Sequence, residues 1–260
     1  MEGIRIYPIR VGSSIGDQSI MTFRVGMGNQ ITMSFGCFYI EADGRKIMLD
    51  TGPSSGEHAN RWHKETGPHI LPDHESYIQL EKKIGVHPEE IDTILLTHLH
   101  WDHAYHLEKY PKATIYVARD ELNFALNPIP PFYHIYENWQ TGLTPFFLSS
   151  INRMVQLDMA LHKITEHVTG IPLPGHSPGH MGAIVETAGG PYVLAGDAIV
   201  TRQNLMPLPE RKLPFRMPGL FMDFQAQWHS IERIMEIVKG DSTRVLANHD
   251  PETYSRDVYP

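Results

Sequence analysis

Apolar runs separated by turn residues dominate the pattern along the chain. Residues 35–41 and 46–50 form two such runs, flanking Ala42-Asp43-Gly44-Arg45. Asp-Gly between apolar segments is a strong hairpin signal, because both residues tolerate the positive φ of a tight turn. Asp50-Thr51-Gly52-Pro53 then ends the second run abruptly. The second half repeats the pattern, with residues 181–187 and 192–196 around Ala188-Gly189-Gly190-Pro191. Short β-branched runs at 93–97, 114–118 and 243–247 predict buried strands. Residues 75–84 read as a helix stopped by Gly85, a favoured residue just past a helix end. A second helix is predicted over 119–127, before Pro128, and a third over 224–239. In that third helix Trp228, Ile231, Met235 and Val238 recur at helical spacing and read as a core face.

Strands in both halves with helices between them predict an α+β chain, in which two sheets pack together and helices lie outside. No repeat, low-complexity tract or Ser/Gly linker divides it, so a single domain is expected over residues 1–260. One segment differs. Residues 127–152 hold Pro128, Pro130, Pro131 and Pro145 among Phe132, Tyr133, Tyr136, Trp139, Phe146 and Phe147. Two readings stand: a lid or substrate-pocket wall, or an insertion packed on the core or on a second subunit, because aromatics serve both.

Composition narrows the function. With 260 residues, 41% of them hydrophobic, the chain can bury a large core. A net charge of −8 without a Lys/Arg run argues against a nucleic-acid partner, which needs clustered cations. Cys37 is the one cysteine, so no internal disulfide forms, which fits a cytoplasmic protein. The opening Met1-Glu2-Gly3-Ile4-Arg5-Ile6-Tyr7-Pro8 lacks the pattern of a signal peptide, and no apolar run is long enough to span a membrane.

Sixteen histidines change the picture, because they are spread along the chain and several fall in short clusters. Thr97-His98-Leu99-His100-Trp101-Asp102-His103 follows the apolar run Ile94-Leu95-Leu96. In extended backbone alternate side chains share a face, so His98 and His100 project together. Asp102 and His103 follow where the chain can turn. Two donor pairs leaving one segment at different angles suit two neighbouring cations better than one. Imidazoles and a carboxylate without thiolate suit Zn²⁺, and also Fe or Mn. A chance cluster on a solvated loop is the bland alternative, and the motif needs distant partners to complete it. Pro174-Gly175-His176-Ser177-Pro178-Gly179-His180 supplies a tight loop presenting His176. Asp197, in Ala195-Gly196-Asp197-Ala198, closes a strand, and Asn248-His249-Asp250 ends the last one. His58, His63, His69, His74 and His229 read as surface or packing residues.

This order of motifs resembles the metallo-β-lactamase superfamily, over nearly the whole chain. The resemblance implies the αβ/βα sandwich of that family, with two mixed β-sheets flanked by helices and metals at the edge between the sheets. It implies two divalent metal ions, zinc first, with Fe, Mn or Co as alternatives. One would take His98, His100 and His176; the other Asp102, His103 and His249; Asp197 would bridge them. Asp50 matches the family's aspartate that orients a ligating imidazole. The motifs around His98, His176 and His249 are most similar to the N-acyl homoserine lactonase branch. That branch implies a small-molecule lactone or ester substrate; charge and apolar-run length leave neither a nucleic-acid nor a membrane partner expected, and a homodimer is the candidate assembly. A water shared and acidified by the metals would open the lactone, with Asp102 carrying the proton to the leaving oxygen. Two positions depart from the branch. Val200 stands where the lactonases carry a carbonyl-polarising tyrosine, and Tyr105, followed by His106, stands where they carry glycine. A thioesterase of the glyoxalase II kind, which shares the Gly-His-Ser-Pro-Gly-His loop, and an aryl or carboxyl esterase are the alternatives. A diiron oxidoreductase is a further one, against which His100 argues, because those proteins usually place Glu there.

Overall fold

In the computed structural model, which describes residues 3–260, two β-sheets face each other across an apolar layer. Met1 and Glu2, on which part of the N-terminal reading rests, lie outside the described residues. The first sheet holds β1 (Arg5–Asp17), β2 (Gln30–Ala42), β3 (Arg45–Leu49), β4 (His69–Ile70), β5 (Thr93–Leu95), β6 (Thr114–Ala118) and β7 (Met154–Leu157), in the order β4-β1-β2-β3-β5-β6-β7. The second holds β8 (His162–Lys163), β9 (Val168–Pro172), β10 (Met181–Thr187), β11 (Gly190–Leu194) and β12 (Val245–Leu246), in the order β12-β11-β10-β9-β8. Both sheets are mixed. β1, β2 and β3 pair antiparallel, while β3, β5, β6 and β7 run parallel. In the second sheet β12 alone is parallel to its neighbour.

The Asp-Gly turn forms as expected. Ala42 pairs with Arg45, and Asp43 and Gly44 both take positive φ (55° and 72°), the geometry that matches the twist of the flanking strands. Alternation then sorts side chains to two buried faces. Phe38 and Ile40 of β2 point inward, where Ile47, Leu49 and Leu95 meet Val168, Met181, Ala183, Val185 and Leu194 of the other sheet. Cys37 and Tyr39 point outward, into a cluster beneath α4 (Arg119–Leu126) that also takes Leu122, Tyr136 and Phe147. The outer face of the second sheet is covered by the long helix, Phe224–Ile237.

Several expected elements take different bounds. The helix expected over 75–84 is an α-turn at Ser76–Gln79 that widens over Leu80–Ile84, and Gly85 ends it at φ 78°. Only Val245–Leu246 is strand within 243–247, because Asp241 caps a 3-10 turn over Ser242–Arg244. The buried face of Phe224–Ile237 is rotated from the expected one. Ile231 and Ile234 fill it together with the polar Gln227 and Ser230, while Trp228 and Met235 sit at its margin. The segment 127–152 forms short 3-10 turns rather than a separate unit, and it drives Tyr136 and Phe147 into the core.

Candidate metal centre

The segments that follow β3, β5, β9, β11 and β12 deliver the residues singled out for metal chemistry. Asp50 follows β3 in a left-handed conformation, φ 61°. This aims its carboxylate at both ends of the histidine motif. Oδ1 accepts from the Thr97 amide at 2.7 Å; Oδ2 accepts from Thr97 Oγ1 at 2.8 Å and His103 Nδ1 at 2.9 Å. Because the Thr97 hydroxyl donates to Asp50, it accepts from His98 Nδ1 at 2.9 Å. His249 Nδ1 donates to the Ser34 carbonyl (2.8 Å) and His176 Nδ1 to the Leu220 carbonyl (3.2 Å). Four imidazoles, of His98, His103, His176 and His249, are thereby held by Nδ1, and Nε2 is the atom each presents. This is the arrangement by which outer hydrogen bonds orient ligating histidines.

All seven expected residues come together as donor groups. His98, His100 and His176 form one triad of converging donor atoms; Asp102, His103 and His249 form another. Asp197 lies between them, with Oδ2 3.3 Å from His176 Nε2 and Oδ1 3.4 Å from His103 Nε2 and 3.2 Å from His249 Nε2. His98 Nε2, His103 Nε2 and Asp197 Oδ1 are buried and have no hydrogen-bond partner among the described residues. Buried polar atoms are normally satisfied. Three orphans converging in one triad of nitrogen and oxygen donors are what divalent cations would satisfy, so the residues fit such ions.

The electrostatics divide the cage. Burial, reinforced by neighbouring imidazoles, holds His98 and His100 well below the ordinary histidine pKa. Burial also acts to lower His103 and His249, but the Asp197 and Asp102 carboxylates outweigh it and raise both. Against the pull of burial, the surrounding histidines, His249 foremost, hold Asp197 well below the ordinary carboxylate value.

Four supporting residues carry no role in the sequence reading. Glu121, fully buried on α4, accepts from the Leu99 amide (3.0 Å) and Tyr136 Oη (2.9 Å) through one oxygen. Its other oxygen accepts from Ser177 Oγ (2.5 Å) and the Gly179 amide (3.3 Å). It thus ties the His98 and His176 loops to each other. His180 donates Nδ1 to the Leu173 carbonyl (3.0 Å) and accepts the Asp197 amide at Nε2 (2.9 Å). Burial, then His176, lowers its pKa to about 3, so it stays neutral in this tautomer. Gln227 donates to the carbonyls of Asp197 and Ala198 at 3.0 and 2.9 Å. Thr97 relays Asp50 to His98. The repeated histidine of the Gly-His loop was a visible signal for His180, whereas Glu121 and Gln227 look like ordinary helical residues. Gly196 is required by geometry: φ is 51°, and a Cβ there would sit 2.7 Å from His180 Nε2.

The two departures have distinct fates. Tyr105 turns its hydroxyl away from the cage, to Glu137 Oε2 (2.6 Å) and His58 Nε2 (2.9 Å), and stacks its ring on Phe146. Val200 is buried among Met21, Met33 and Ile31, and its carbonyl accepts from the His249 amide at 3.2 Å. The Tyr136 ring meets His100 edge-on at 4.8 Å, so one part of the aromatic segment walls the cage while Phe147 is core. Within 213–222, Phe215 and Met217 pack against the long helix, and Leu220 supports His176. Among the remaining histidines, His69 and His229 are exposed, but His63 is fully buried, stacked on Trp101 at 4.1 Å.

The model of the metallo-beta-lactamase superfamily matches residues 37–255. The chain is a member of that superfamily. Among its curated relatives is an N-acyl homoserine lactonase of Bacillus cereus, 26% identical over 256 residues, which cover 95% of this chain and 94% of the relative. A solved N-acyl homoserine lactone hydrolase with the product N-hexanoyl-L-homoserine at its catalytic metal centre is 23% identical, with TM-score 0.73, covering 95% of this chain and 94% of the other. AidC, a dizinc quorum-quenching lactonase, is 16% identical with TM-score 0.69, covering 98% and 90%. These likenesses establish the superfamily sandwich, two mixed sheets with helices, as the fold here. No helix is long and apolar enough to cross a membrane among the described residues.

Proposed function

We propose that this superfamily member is a dinuclear metal-dependent hydrolase that opens N-acyl homoserine lactones or similar cyclic esters. The observation that carries the reading is the pair of donor triads with Asp197 between them. Likeness to N-acyl homoserine lactonases across 95% of the chain supports the substrate class. His98, His100 and His176 would hold one cation and Asp102, His103 and His249 the other, with Asp197 shared. The nitrogen and carboxylate donors favour zinc, and Fe, Mn or Co suit the same set. Such a pair supplies Lewis acidity toward a carbonyl oxygen and toward water.

The chain's own side chains then perform the remaining tasks. Asp50, Thr97, Ser34 and Leu220 fix the imidazole orientations. Phe35, edge-on to His249 at 5.7 Å, and Tyr136 shield the cage from bulk water. Asp102 keeps the most accessible carboxylate in the cage, 14% exposed, with Oδ2 3.7 Å from His249 Nε2 and 3.8 Å from His103 Nε2. With Oδ2 turned to the two imidazoles, its other oxygen is left to accept a proton and deliver it to the leaving alkoxide, which makes Asp102 the proposed catalytic acid. Leu220, half-exposed next to the His176 contact, leads to the aromatic group Phe23, Phe221 and Phe224, which offers apolar surface to an acyl chain.

Val200 favours a second reading, a thioesterase or aryl esterase of the same fold, because an aliphatic side chain cannot polarise a lactone carbonyl. A substrate panel separates the two. Purified protein is offered N-acyl homoserine lactones of graded chain length, aryl esters and a glutathione thioester. The lactonase reading expects lactones to show the highest kcat/KM, rising with acyl length. Turnover of the thioester or aryl ester alone would replace it with the second reading.

A further inference from the structure

A second group of histidines stands beside the cage, on the far side of Trp101. His63 lies flat on the Trp101 indole, with ring planes within 6°. Its Nε2 is 2.8 Å from Glu137 Oε1, and His58 Nε2 is 2.8 Å from the same oxygen. The two histidines come from α2 (Gly56–Trp62) and its C-terminal cap, and Glu137 comes from the aromatic segment, more than seventy residues away. Glu137 holds a left-handed conformation, φ 47°, that non-glycine residues seldom adopt, and 1% of its side chain is exposed. Strain of this kind persists where the surroundings over-determine it and clusters at functional sites.

We propose that His58, His63 and Glu137 form a further divalent-cation site, separate from the seven-residue cage. The donor set is two imidazole nitrogens and one carboxylate oxygen, a combination that takes Zn²⁺ or Fe²⁺ and leaves coordination positions open. Tyr105 Oη donates to Glu137 Oε2 at 2.6 Å and also lies 2.9 Å from His58 Nε2. A carboxylate pinned through one oxygen with the other turned to two imidazoles has the outer support expected of a metal ligand. Bonds of about 2.1 Å in a tetrahedral site place donors about 3.4 Å apart. The present 2.8 Å pairs would open by about half an ångström. His58, 27% exposed on a short helix, gives both that freedom and a route for the ion. On binding, each neutral imidazole carries its proton on Nδ1 and leaves Nε2 free to hold the ion. His63 also belongs to an adjoining group with Glu65 and His134, so further donors lie at hand.

A zinc-filled site here would pin α2 to the aromatic segment directly behind Trp101, between the ligands His100 and Asp102. The test is stoichiometric and does not depend on turnover. Protein stripped with a chelator is equilibrated with zinc, freed of excess metal and measured by inductively coupled plasma mass spectrometry. Three zinc ions per chain are expected in the native protein and two in His58→Ala, whose partly exposed side chain can be removed without opening the core. Zinc-edge anomalous diffraction of the native protein is the variant-free check, with a peak expected between His58 Nε2, His63 Nε2 and Glu137 Oε1. Equal zinc content in the native and His58→Ala proteins, or no peak at that position, would overturn the site and leave the group as a hydrogen-bonded clamp.

Discussion

His103 and Asp50 meet at 2.9 Å, Nδ1 to Oδ2, through a carboxylate that also holds Thr97 by its amide and hydroxyl. One aspartate at the end of β3 therefore sets the orientation of His103 directly and of His98 through Thr97. Asp50→Asn replaces one accepting oxygen by a donor and leaves one of these three contacts unmade. Loss of such an outer partner typically weakens metal binding 10–100-fold. Chelator competition should show that weakening, with turnover at limiting metal falling in parallel and recovering when metal is added. A loss that excess metal leaves unchanged would mean that Asp50 supports the fold rather than the centre.

Glu121 receives four donors in a fully buried position, two at each oxygen. In Glu121→Gln, either orientation of the amide sets an NH₂ against the backbone donor of Leu99 or Gly179. Leaving a buried polar group unsatisfied costs about 1–3 kcal/mol. Urea unfolding should report a loss in that range with unchanged m-value. A midpoint equal to the native one would show that the two loops are held by other means.

Metal binding should release protons and weaken as pH falls. His98 and His100 are held low and are neutral near pH 7, whereas His103 and His249 are raised by Asp197 and Asp102 and keep a proton to higher pH. A retained proton competes with a cation for Nε2, so the cation at Asp102, His103 and His249 should be lost first on acidification. Calorimetry in buffers of different ionisation enthalpy measures the proton count directly. Binding without proton release near pH 7 would contradict this account of the two halves.

Asp43, in the hairpin turn, binds His167 Nδ1 at 2.6 Å and the His167 amide at 2.9 Å, joining the two sheets. Burial acts to raise its carboxyl, but the bonds from Thr165 and His167 outweigh it and lower the pKa to about 2. A depressed folded-state pKa contributes stability that is fully present above the unfolded value, about 3.9. That stability is lost as pH falls through about 2. Asp43→Asn keeps a residue that accepts the positive φ, so the turn persists. The variant should be less stable than native at pH 6, with the difference shrinking below about pH 4. A constant difference across that range would show that the contact does not depend on ionisation.

How much of this was legible in the sequence varies by element. The Asp43-Gly44 hairpin could be read because a two-residue turn is a local choice. The donor cage could be read because its residues sit in three short motifs and a strand end, in an order that the resemblance supplied. The full lengths of β1 and β2 escaped, because both carry polar residues such as Ser13, Ser14 and Ser34 at positions that tertiary contacts bury or half-bury. Glu121 could not be distinguished from a solvated helical glutamate, since its burial depends on Leu99 and Gly179 folding over α4. Gln227 was hidden likewise, since its burial depends on the carbonyls of Asp197 and Ala198 folding onto the long helix. His58, His63 and Glu137 are individually unremarkable, and only the fold brings residues 58 and 137 to one carboxylate oxygen.

On the proposed function, the seven-residue cage opens a lactone once it is filled with metal. The most direct measurement follows acid release from an N-acyl homoserine lactone by stripped protein, by protein reconstituted with zinc, and by His103→Ala treated in the same way. The stripped protein should be inert, activity should return as the cage fills, and His103→Ala should show no return. Turnover that survives complete removal of metal, or a fully reconstituted protein that leaves the lactone intact, would contradict it.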